Sequence, residues 1–449
     1  MATTGASRDA FGTRAGFILA AAGSAVGLGN MWRFSYQASE GGGAAFVLLY
    51  IGMTIILGIP LMLAEFGIGR RGQSAPVGAL RRVVGPHSAL VGWLGAVGSL
   101  LILSYYSVIA GWTVRYALEA LFVGFPGDTG AHFGAVSAGG SAAAFHVGFM
   151  VATLLIVMAG IKGGIERVSL VLMPALFFIV AGLAVWAVTL DGAGEGYSVY
   201  LKPDVGDLMN PSVWRAAAAQ AFFSLSLGMG AMMTFASYLD RQANLPQSAT
   251  IVAYTDFGVA FVAGLVVFPV IFSFGLQGAV GASTVGALFI ALPSAFDAMG
   301  AIGRVVGTAF FVALVVGALT SAISMLEVVT ASFIDEFKVP RRTAATAAAI
   351  LATLLGLLPA LDTDVLGLMD KIAGEFLLVL GALLLAILGG WLVRKQMLEE
   401  LAAGASPWWA AQVPRILAVL RFVVPPIVAA VLFFSARETV TTVVDFFRG

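Results

Sequence analysis

The sequence predicts an all-α polytopic membrane protein of eleven transmembrane helices, arranged as an inverted five-plus-five repeat in which helices 1 and 6 are broken. Three observations support this fold class. Of the 449 residues, 60% are hydrophobic and only 11% are charged, which is far too apolar for a soluble domain. Apolar stretches long enough to cross roughly 30 Å of hydrocarbon recur along the chain. Two of them are interrupted by paired glycines at equivalent places in the two halves.

The apolar segments follow one another over nearly the whole chain. Hydropathy and turn signals place eleven spans at 14–37, 44–68, 89–123, 143–161, 166–189, 214–239, 250–276, 301–336, 343–359, 370–394 and 416–436. Arg8 and Arg14 imitate the start of a signal peptide, but the apolar run continues to Phe34 and favours a retained span. We expect residues 1–449 to form a single transmembrane domain, with repeat one at about 14–189, repeat two at about 214–394 and an extra helix at about 416–436.

The distribution of basic residues predicts the orientation in the membrane. Arg70 and Arg71 follow the second segment and Arg341 and Arg342 precede the ninth, whereas the connection at 124–142 has no lysine or arginine. Basic residues concentrate on the cytoplasmic side of membrane proteins. We therefore expect a multi-pass protein of the inner (plasma) membrane with a cytoplasmic N-terminus and, after eleven spans, a C-terminus outside.

Composition excludes several classes of function. The chain has no cysteine, and its three histidines, His87, His132 and His146, show no metal-ligand spacing. No basic run indicates nucleic acid as a partner. A membrane enzyme would need catalytic groups at mid-membrane depth, and no histidine lies there. We expect no enzymatic activity and no catalytic residues. The surrounding lipid bilayer is an expected partner, but no obligate protein partner is expected.

Paired glycines occupy matching positions in the first and sixth segments. The first contains SAVGLGN, with Gly27 and Gly29, and the sixth contains SLSLGMGAMM, with Gly228 and Gly230. One such pair alone more often marks close helix packing. Both pairs together, in two five-span units that must be inverted, favour unwound backbone near the midplane. Backbone freed at that depth is tolerated where it lines a cavity, and its carbonyls can bind a hard cation.

The same two segments resemble a known family. RAGFILAAAGSAVGLGNMWRFSYQASEGGGAAFVLLY resembles the first-span signature of the neurotransmitter:sodium symporter (NSS) family, and QAFFSLSLGMGAMMTFASY resembles its sixth span. The similarity extends over about residues 13–437 and is greatest to the bacterial amino-acid members. The resemblance implies a leucine-transporter-like fold and a sodium-coupled symporter that imports apolar or aromatic α-amino acids by alternating access. An amino-acid-binding membrane sensor and an ion channel are the alternatives.

The resemblance implies two bound sodium ions. One would lie between the first and eighth spans, on the carbonyls of Gly23, Val26 and Gly317 and the hydroxyls of Thr320 and Ser321. Such a set of neutral oxygens suits sodium and offers no imidazole or thiolate to a transition metal. Without the resemblance, the two hydroxyls would be interpreted as bonding to carbonyls one turn back in their own helix.

The second sodium would bind to the Ala25 carbonyl, the Asn30 side chain, Ser224 and Asp256, together with the substrate carboxylate. Asp256 departs from the asparagine that a well-known bacterial member has at this place. An unpaired carboxylate is strongly disfavoured in apolar surroundings, so a proton or a cation must accompany it. Two sodium ions would balance the charges of Asp256 and the substrate, so we expect transport without chloride. The alternative is that Asp256 pairs with a basic group in the bundle.

The resemblance also assigns a substrate site. The substrate carboxylate would meet the N–H groups near Leu28 and Gly29, at the start of a half-helix, and the Tyr106 hydroxyl, while the ammonium would meet carbonyls of the two breaks. The unwound stretch lacks the acid that holds the amine in monoamine carriers, so the expected substrate is a hydrophobic L-amino acid. The predicted substrate-binding residues are Ser24, Ala25, Leu28, Gly29, Ile102, Tyr106, Phe223, Ser224, Ser226, Met229, Ser321, Ala322 and Met325.

Two groups of polar residues resemble the gates of the family. At the outer gate, Arg33 would pair with Asp370, with Gln220 beside them. An arginine inside the membrane is costly unless it is paired or wetted, which favours a function for Arg33.

At the inner gate, Arg8 would pair with Asp335, with Phe11 and Tyr238 nearby. Alternatively, Arg8 and Asp335 are solvated loop charges that contribute little. A closure that must break in every cycle cannot be strong, so weak pairs are suitable for both gates.

Overall fold

The computed structural model of the protein describes residues 9–277 and 287–448. The regular secondary structure in these two ranges is helical, without β-strands. Nine of the helices in the described ranges are long and apolar enough to cross a membrane, and they are numbered spans 2 to 5 and 7 to 11: Ala44–Gly72, Pro86–Phe122, Gly140–Met158, Ile161–Ala187, Leu245–Ser273, Ala301–Phe337, Arg341–Leu361, Thr363–Leu392 and Pro407–Phe446. Each overlaps one segment predicted from hydropathy.

Spans 1 and 6 are each made of two short helices. Arg14–Ala25 and Gly29–Glu40 form span 1 and are bent by 62° relative to each other. Pro211–Ser224 and Ala231–Ala236 form span 6 and are joined by turns. These are the two helices that the sequence predicts to be broken, and they bring the described chain to eleven spans.

Positive φ angles at three residues produce the break in span 6. Gly228 and Gly230 have φ angles of +93° and +80°, which residues with a side chain rarely adopt. Ser226 has a φ of +53°, and its hydroxyl compensates by donating to the Ser24 carbonyl over 2.8 Å. A Cβ on Gly228 would also lie only 2.8 Å from the Ala382 amide nitrogen of span 10. Gly228 is therefore required both by the turn and by the close approach of span 10.

Two groups of helices make up the bundle. Spans 3, 4, 8 and 9 pack against one another, and spans 1, 2, 6 and 7 form the second group. Span 5 lies against spans 1, 7 and 8, and span 10 lies against spans 2, 3 and 11. Gly317 of span 8 faces Gly27, and Gly95 of span 3 faces Met229. The two breaks are thus enclosed between the groups, deep in the bundle.

Short helices in the connections were not predicted from hydropathy: Pro76–Val83, Thr129–Ser137, Ala193–Leu201, Val205–Leu208, Leu292–Ala298 and Arg394–Ala402. They are too short to appear in a hydropathy average taken over the length of a membrane span. Several of them begin at a capping side chain; for example, the Asp128 side chain accepts from the Ala131 N–H over 2.9 Å. Span 11 is longer than the predicted 416–436, because its helix already begins at Pro407.

Candidate functional site

The freed peptide groups of span 1 bond to side chains. The Gly27 N–H donates to Asn30 Oδ1 over 3.0 Å, and the Leu28 N–H donates to the Tyr106 hydroxyl of span 3 over 3.2 Å. A Cβ on Gly27 would lie 2.8 Å from that hydroxyl oxygen. The absence of a side chain at Gly27 therefore leaves space beside two of the groups predicted to hold a substrate carboxylate, Leu28 and Tyr106.

A buried carboxyl group holds the freed N–H groups of span 6. Glu65 of span 2 is fully buried, and its two oxygens accept from the Gly228 N–H over 2.8 Å and from the Met233 N–H over 3.2 Å. Peptide groups released at membrane depth need such partners. Sequence reasoning gave Glu65 no role. The acid in an apolar span was a visible signal, but its partners are backbone groups of a distant helix.

The residues predicted for one sodium lie together where spans 1 and 8 meet. The Ser321 hydroxyl is 3.3 Å from the Gly23 carbonyl oxygen and 3.4 Å from the Val26 carbonyl oxygen. The Thr320 hydroxyl donates to the Gly317 carbonyl over 3.0 Å. Thr320 and Gly317 lie beside the same stretch of span 1: a Cβ on Gly23 would be 3.0 Å from Thr320 Cβ, and a Cβ on Gly317 would be 3.7 Å from the Val26 carbonyl oxygen. Both hydroxyls are held by carbonyls, as they would also be in ordinary helix packing.

Asp256 of span 7 has uncharged partners. Its Oδ1 accepts from Asn30 Nδ2 over 2.6 Å and its Oδ2 accepts from the Tyr50 hydroxyl over 2.8 Å, while the Ser224 hydroxyl is 2.9 and 3.0 Å from the two oxygens. Asp256 is fully buried, and none of the salt bridges in the described ranges includes it. The basic partner considered as an alternative is not observed. Tyr50 was missed, because a tyrosine in a membrane span most often indicates packing.

The remaining predicted substrate residues surround the two breaks. The Ser24 hydroxyl donates to Ser324 over 2.7 Å, which leaves the Ser24 carbonyl to accept from Ser226 over 2.8 Å and from Ser321 over 3.3 Å. Ser24 therefore presents its carbonyl, and not its side chain, to the break. The predicted apolar residues of this region are all buried in the core: Ala25, Ile102, Met229, Ala322 and Met325.

The predicted members of the outer gate are apart in this structure. The Arg33 guanidinium lies over the Phe223 ring, 4.3 Å from its centroid, and Asp370 Oδ1 accepts from the Tyr105 hydroxyl over 2.8 Å. No ion pair joins Arg33 to Asp370 within the described part of the chain. Each gate residue has a neutral partner in place of the charged one that the resemblance implies.

A cavity of about 310 Å³ lies at this end of the bundle, which we call the Arg33 side. Its walls include Leu28, Tyr106, Arg33 and Asp370, so it connects the separated gate residues with the carboxylate donors of span 1. Gln220 donates to the Gly29 carbonyl over 3.1 Å, and its Oε1 has no hydrogen-bond partner in the described ranges.

The opposite end of the bundle, the Asp335 side, is closed by several contacts. Asp335 Oδ2 accepts from the Ser74 hydroxyl over 2.8 Å and from the Ala75 N–H over 2.6 Å. These bonds tie the end of span 8 to the connection after span 2. The predicted partner, Arg8, lies outside the described residues.

Tyr238 closes the same side through a pair that was not predicted. Its hydroxyl donates to Glu327 Oε1 over 2.5 Å, and Glu327 forms a salt bridge with Arg341. The Phe11 ring lies 6.4 Å from the Tyr238 ring and 5.9 Å from Phe235. Sequence reasoning placed Phe11 beside Tyr238 but assigned no role to Glu327, whose basic partner begins the next span.

The two broken helices turn their peptide groups toward a buried polar site, and this site opens to one end of the bundle. These features define the protein as a membrane transporter of the inverted-repeat class. A family model described as the sodium:neurotransmitter symporter family matches residues 8–135 and 131–446. The chain therefore belongs to this family and is a sodium-dependent, multi-pass membrane transporter, not an enzyme. The family and the fold class predicted from the sequence are confirmed.

Relatives resemble the chain over almost its full length. An uncharacterized sodium-dependent transporter, YhdH, of Bacillus subtilis is 36% identical over 92% of this chain and 94% of its own length. An uncharacterized sodium-dependent transporter of Methanocaldococcus jannaschii is 35% identical over 97% and 92%. The crystal structure of MhsT in complex with L-phenylalanine matches with a TM-score of 0.85 and 39% identity, covering 96% of this chain and 100% of that one.

Proposed function

We propose that the protein imports apolar or aromatic α-amino acids together with sodium ions by alternating access. The main support is the break in span 1, where the Leu28 N–H and the Tyr106 hydroxyl meet at the inner end of a cavity. Such donors favour a carboxylate at the start of a half-helix. The carbonyl groups of the breaks, such as that of Ser24, favour an ammonium group. The similarity to MhsT, solved with L-phenylalanine, agrees with a substrate of this kind.

Two sodium ions fit the oxygens around the breaks. Gly23, Val26, Gly317, Thr320 and Ser321 would hold one ion with neutral groups only. Ala25, Asn30, Ser224 and Asp256 would hold the second ion, together with the substrate carboxylate. All of these ligands are oxygens, which suits an alkali cation. In the described ranges, no cluster of three or more His, Cys, Asp or Glu residues offers a site for a multivalent metal.

The bonding of Asp256 favours transport without chloride. The hydroxyls of Tyr50 and Ser224 both point at its carboxyl group, so this group occupies the place where those two donors could hold an anion. Two sodium ions carry two positive charges, and Asp256 with the substrate carboxylate carries two negative ones. Asp256 thus supplies, beside the ions, the negative charge that a bound anion would otherwise supply.

Side-chain recognition would rest on the buried apolar residues Ile102, Met229, Ala322 and Met325 and on the partly buried Phe223. Methionine is flexible and fills irregular space, so Met229 and Met325 suit a pocket that accepts side chains of different shapes. Gly27 agrees with a substrate that has its own carboxylate, because a side chain there would occupy the space beside the Tyr106 hydroxyl.

We propose that the Arg33 side faces the outside of the cell and that the Asp335 side faces the cytoplasm. Arg70 and Arg341, which belong to the basic segments, lie on the Asp335 side, as expected for a cytoplasmic surface in the plasma membrane. Residues 1–449 would form one transport domain with repeats at about 14–189 and 214–394 and a further helix at about 416–436. Arg33, Asp370 and Gln220 would gate the outer end; Arg8, Asp335 and Tyr238 would gate the inner end.

The test is uptake of labelled L-phenylalanine into proteoliposomes under an inward sodium gradient, with choline replacing sodium and gluconate replacing chloride in parallel. We expect accumulation that requires sodium and is unchanged by gluconate. An Asp256→Asn variant that still transports should require chloride, because the site has lost one negative charge. Asp191→Asn, which alters an exposed carboxyl group after span 5, is the matched control.

The outcomes separate the parts of the proposal. Binding of L-phenylalanine without accumulation would contradict transport and favour a sensor. Accumulation without sodium would contradict coupling. Chloride-dependent uptake by the parent protein would contradict only the role of Asp256 in the charge balance.

A further inference from the structure

We propose that Arg421 of span 11 binds the phosphate of an anionic phospholipid in the membrane leaflet on the Asp335 side. The site lies at the surface of the bundle, where span 11 crosses the end of span 10. It is separate from the substrate and sodium sites, and it does not depend on what the protein transports. In the proposed orientation this leaflet is the cytoplasmic one.

Spans 10 and 11 come very close to each other at two glycines. A Cβ on Gly390 would lie 3.1 Å from Arg421 Cα, and a Cβ on Gly389 would lie 3.5 Å from Leu420 Cδ2. Small residues allow membrane helices to approach in this way. The close approach brings Trp391, the next residue of span 10, beside Arg421.

A proline explains how Trp391 is held beside Arg421. Pro425 has no N–H, so the Arg421 carbonyl lacks the donor that normally lies four residues later in a helix. Trp391 Nε1 donates to this carbonyl over 3.0 Å. The indole is thus fixed by its N–H, and the Arg421 guanidinium lies over its ring, 4.2 Å from the centroid. The Phe422 ring centroid is 4.9 Å from the same guanidinium.

The Arg421 guanidinium has aromatic neighbours but no anionic partner within residues 9–277 and 287–448. None of the salt bridges in these ranges includes Arg421, and its Nε is buried without a hydrogen-bond partner. A guanidinium is always charged and has five N–H donors. Such a charge is costly beside lipid unless an anion compensates it. We infer that the compensating anion comes from outside the described chain.

Arg421 lies near the depth at which lipid phosphates are found. Trp391 is one residue from the end of span 10, and tryptophans concentrate at the membrane–water interface. The neighbouring apolar residues Leu392 and Phe422 are 60% and 58% exposed, so this surface faces lipid. Arginine can keep its stem along apolar surface while its charged end reaches the headgroups. The phosphate layer of the bilayer is therefore the nearest source of anions.

The surroundings of Arg421 are basic. Further basic residues flank the crossing along the chain and form no salt bridge with the described residues: Arg394, Lys395 and Arg415. The acids of the helix after span 10, Glu399 and Glu400, instead face basic residues of span 2. Basic clusters at the cytoplasmic ends of spans attract anionic lipids. A guanidinium also suits a phosphate, because it can donate two parallel hydrogen bonds to it.

Lipid-dependent stabilisation of the purified protein tests the site. Its melting temperature is measured in detergent as dioleoyl-phosphatidylglycerol is added, with dioleoyl-phosphatidylcholine and inorganic phosphate in parallel arms. A molecule that binds the native state raises this temperature. In the parent, only phosphatidylglycerol should raise it strongly. Arg421→Gln should increase the half-effective phosphatidylglycerol concentration about tenfold, because charge-assisted bonds to the phosphate are lost.

Two further variants separate phosphate binding from a general effect of charge. Arg421→Lys keeps the charge but cannot donate two parallel bonds, so the increase should be about threefold. Arg215→Gln is the matched control. Arg215 also lies over an aromatic ring, 5.4 Å from the Phe434 centroid, but it has an acidic partner, Glu438, on the Arg33 side. Its loss should leave the phosphatidylglycerol dependence unchanged.

Native mass spectrometry of the same samples should show one fewer tightly bound phosphatidylglycerol in Arg421→Gln than in the parent. Equal phosphatidylglycerol dependence in these two proteins would overturn the proposal, and so would an equal loss in Arg215→Gln. Equal stabilisation by phosphatidylcholine would contradict a site for an anionic lipid. Equal stabilisation by inorganic phosphate would assign the site to a free anion. If Arg421→Gln is not monodisperse, Arg421→Lys replaces it, and an unchanged dependence there would overturn the proposal.

Discussion

The two ends of the bundle are held by different kinds of contact. On the Asp335 side, charges are buried and paired: Arg70 with Glu400 over 2.7 Å, at 0% and 3% exposure of the side chains, and Arg341 with the fully buried Glu327. On the Arg33 side, the ion pairs are more exposed: Lys371 and Glu375 are 2.8 Å apart and 32% and 20% exposed, and Arg215 and Glu438 are 3.5 Å apart and 44% and 48% exposed.

This difference shows which end can rearrange at low cost. Exposed pairs contribute about 1 kcal/mol or less, whereas removing one partner of a buried pair costs about 3 to 5 kcal/mol. On the Arg33 side, Arg33 and Asp370 each have a neutral partner and can exchange it without leaving a charge uncompensated. Opening the Asp335 side must disrupt buried bonds, so it has the higher cost.

The largest effect is expected at Arg70. Its guanidinium donates to the Glu400 side chain, to the Glu400 and Ala403 carbonyls and to the Ala243 carbonyl. It joins span 2 to the end of the helix Arg394–Ala402 and to the connection after span 6. Arg70→Met should lower the free energy of unfolding by about 4 kcal/mol, because it leaves the buried Glu400 with only the more distant Arg71, 3.7 Å away, as a cation. Thermal unfolding of the purified protein measures this. Arg71→Met is the control, because the half-buried Arg71 is at least 3.6 Å from its acidic partners. Equal losses in the two variants would contradict the distinction between buried and exposed pairs.

A slightly smaller effect is expected at Glu327. Glu327→Gln removes the charge that faces Arg341 and weakens the bond from Tyr238, so the Asp335 side should open more easily, by about 3 kcal/mol. Faster maleimide modification of a single cysteine at Ser169 would show it. Asp9→Asn is the control, because Asp9 is the other acidic partner of Arg341 but is 48% exposed. The prediction is wrong if Asp9→Asn opens this side as much as Glu327→Gln does.

A moderate effect is expected at Tyr105, where the substitution should close the Arg33 side rather than open the Asp335 side. Tyr105→Phe removes the hydroxyl that holds Asp370, so Asp370 should turn toward Arg33 and close that side, by about 1 kcal/mol. Modification of a single cysteine at Ile109, which lines the cavity, should become about fivefold slower. Tyr197→Phe removes a hydroxyl bond to the Leu265 carbonyl away from the gate and should have no effect. Faster modification in Tyr105→Phe would mean that the hydroxyl does not hold the gate apart.

The smallest effect is expected at Arg215. Arg215→Gln should change the free energy of unfolding by less than about 0.5 kcal/mol, because its pair with Glu438 is long and exposed. Thermal unfolding at low and high salt measures this. A decrease comparable to that of Arg70→Met would show that the Arg33 side is held as firmly as the other end.

Most of the fold follows from hydropathy and glycine placement. Lipid requires each span to be apolar over a fixed length, so the eleven segments could be counted, and the glycine pairs at Gly27 and Gly228 locate the breaks. The family resemblance also placed Asn30, Ser224 and Asp256 in one site, and the structure brings them within hydrogen-bond distance.

The rest could not be predicted for two physical reasons. Glu65 and Glu166 bind backbone N–H groups, which leave no trace in residue type, and their partners are more than 150 residues away along the chain. Arg33 and Asp370 were expected to pair, but the pairing depends on the conformation, and the same residues also encode the separated arrangement with Phe223 and Tyr105.

Glu65 determines how the broken sixth span can move. Its two oxygens hold Gly228 and Met233, and Gly69, one turn further along span 2, lies directly against the Met233 backbone. The second half of span 6 is thus fastened to span 2 by bonds that no water can replace at that depth. It must travel with span 2 as one rigid body. The first half, Pro211–Ser224, packs against the other end of span 2, so span 2 carries both halves of the broken helix together.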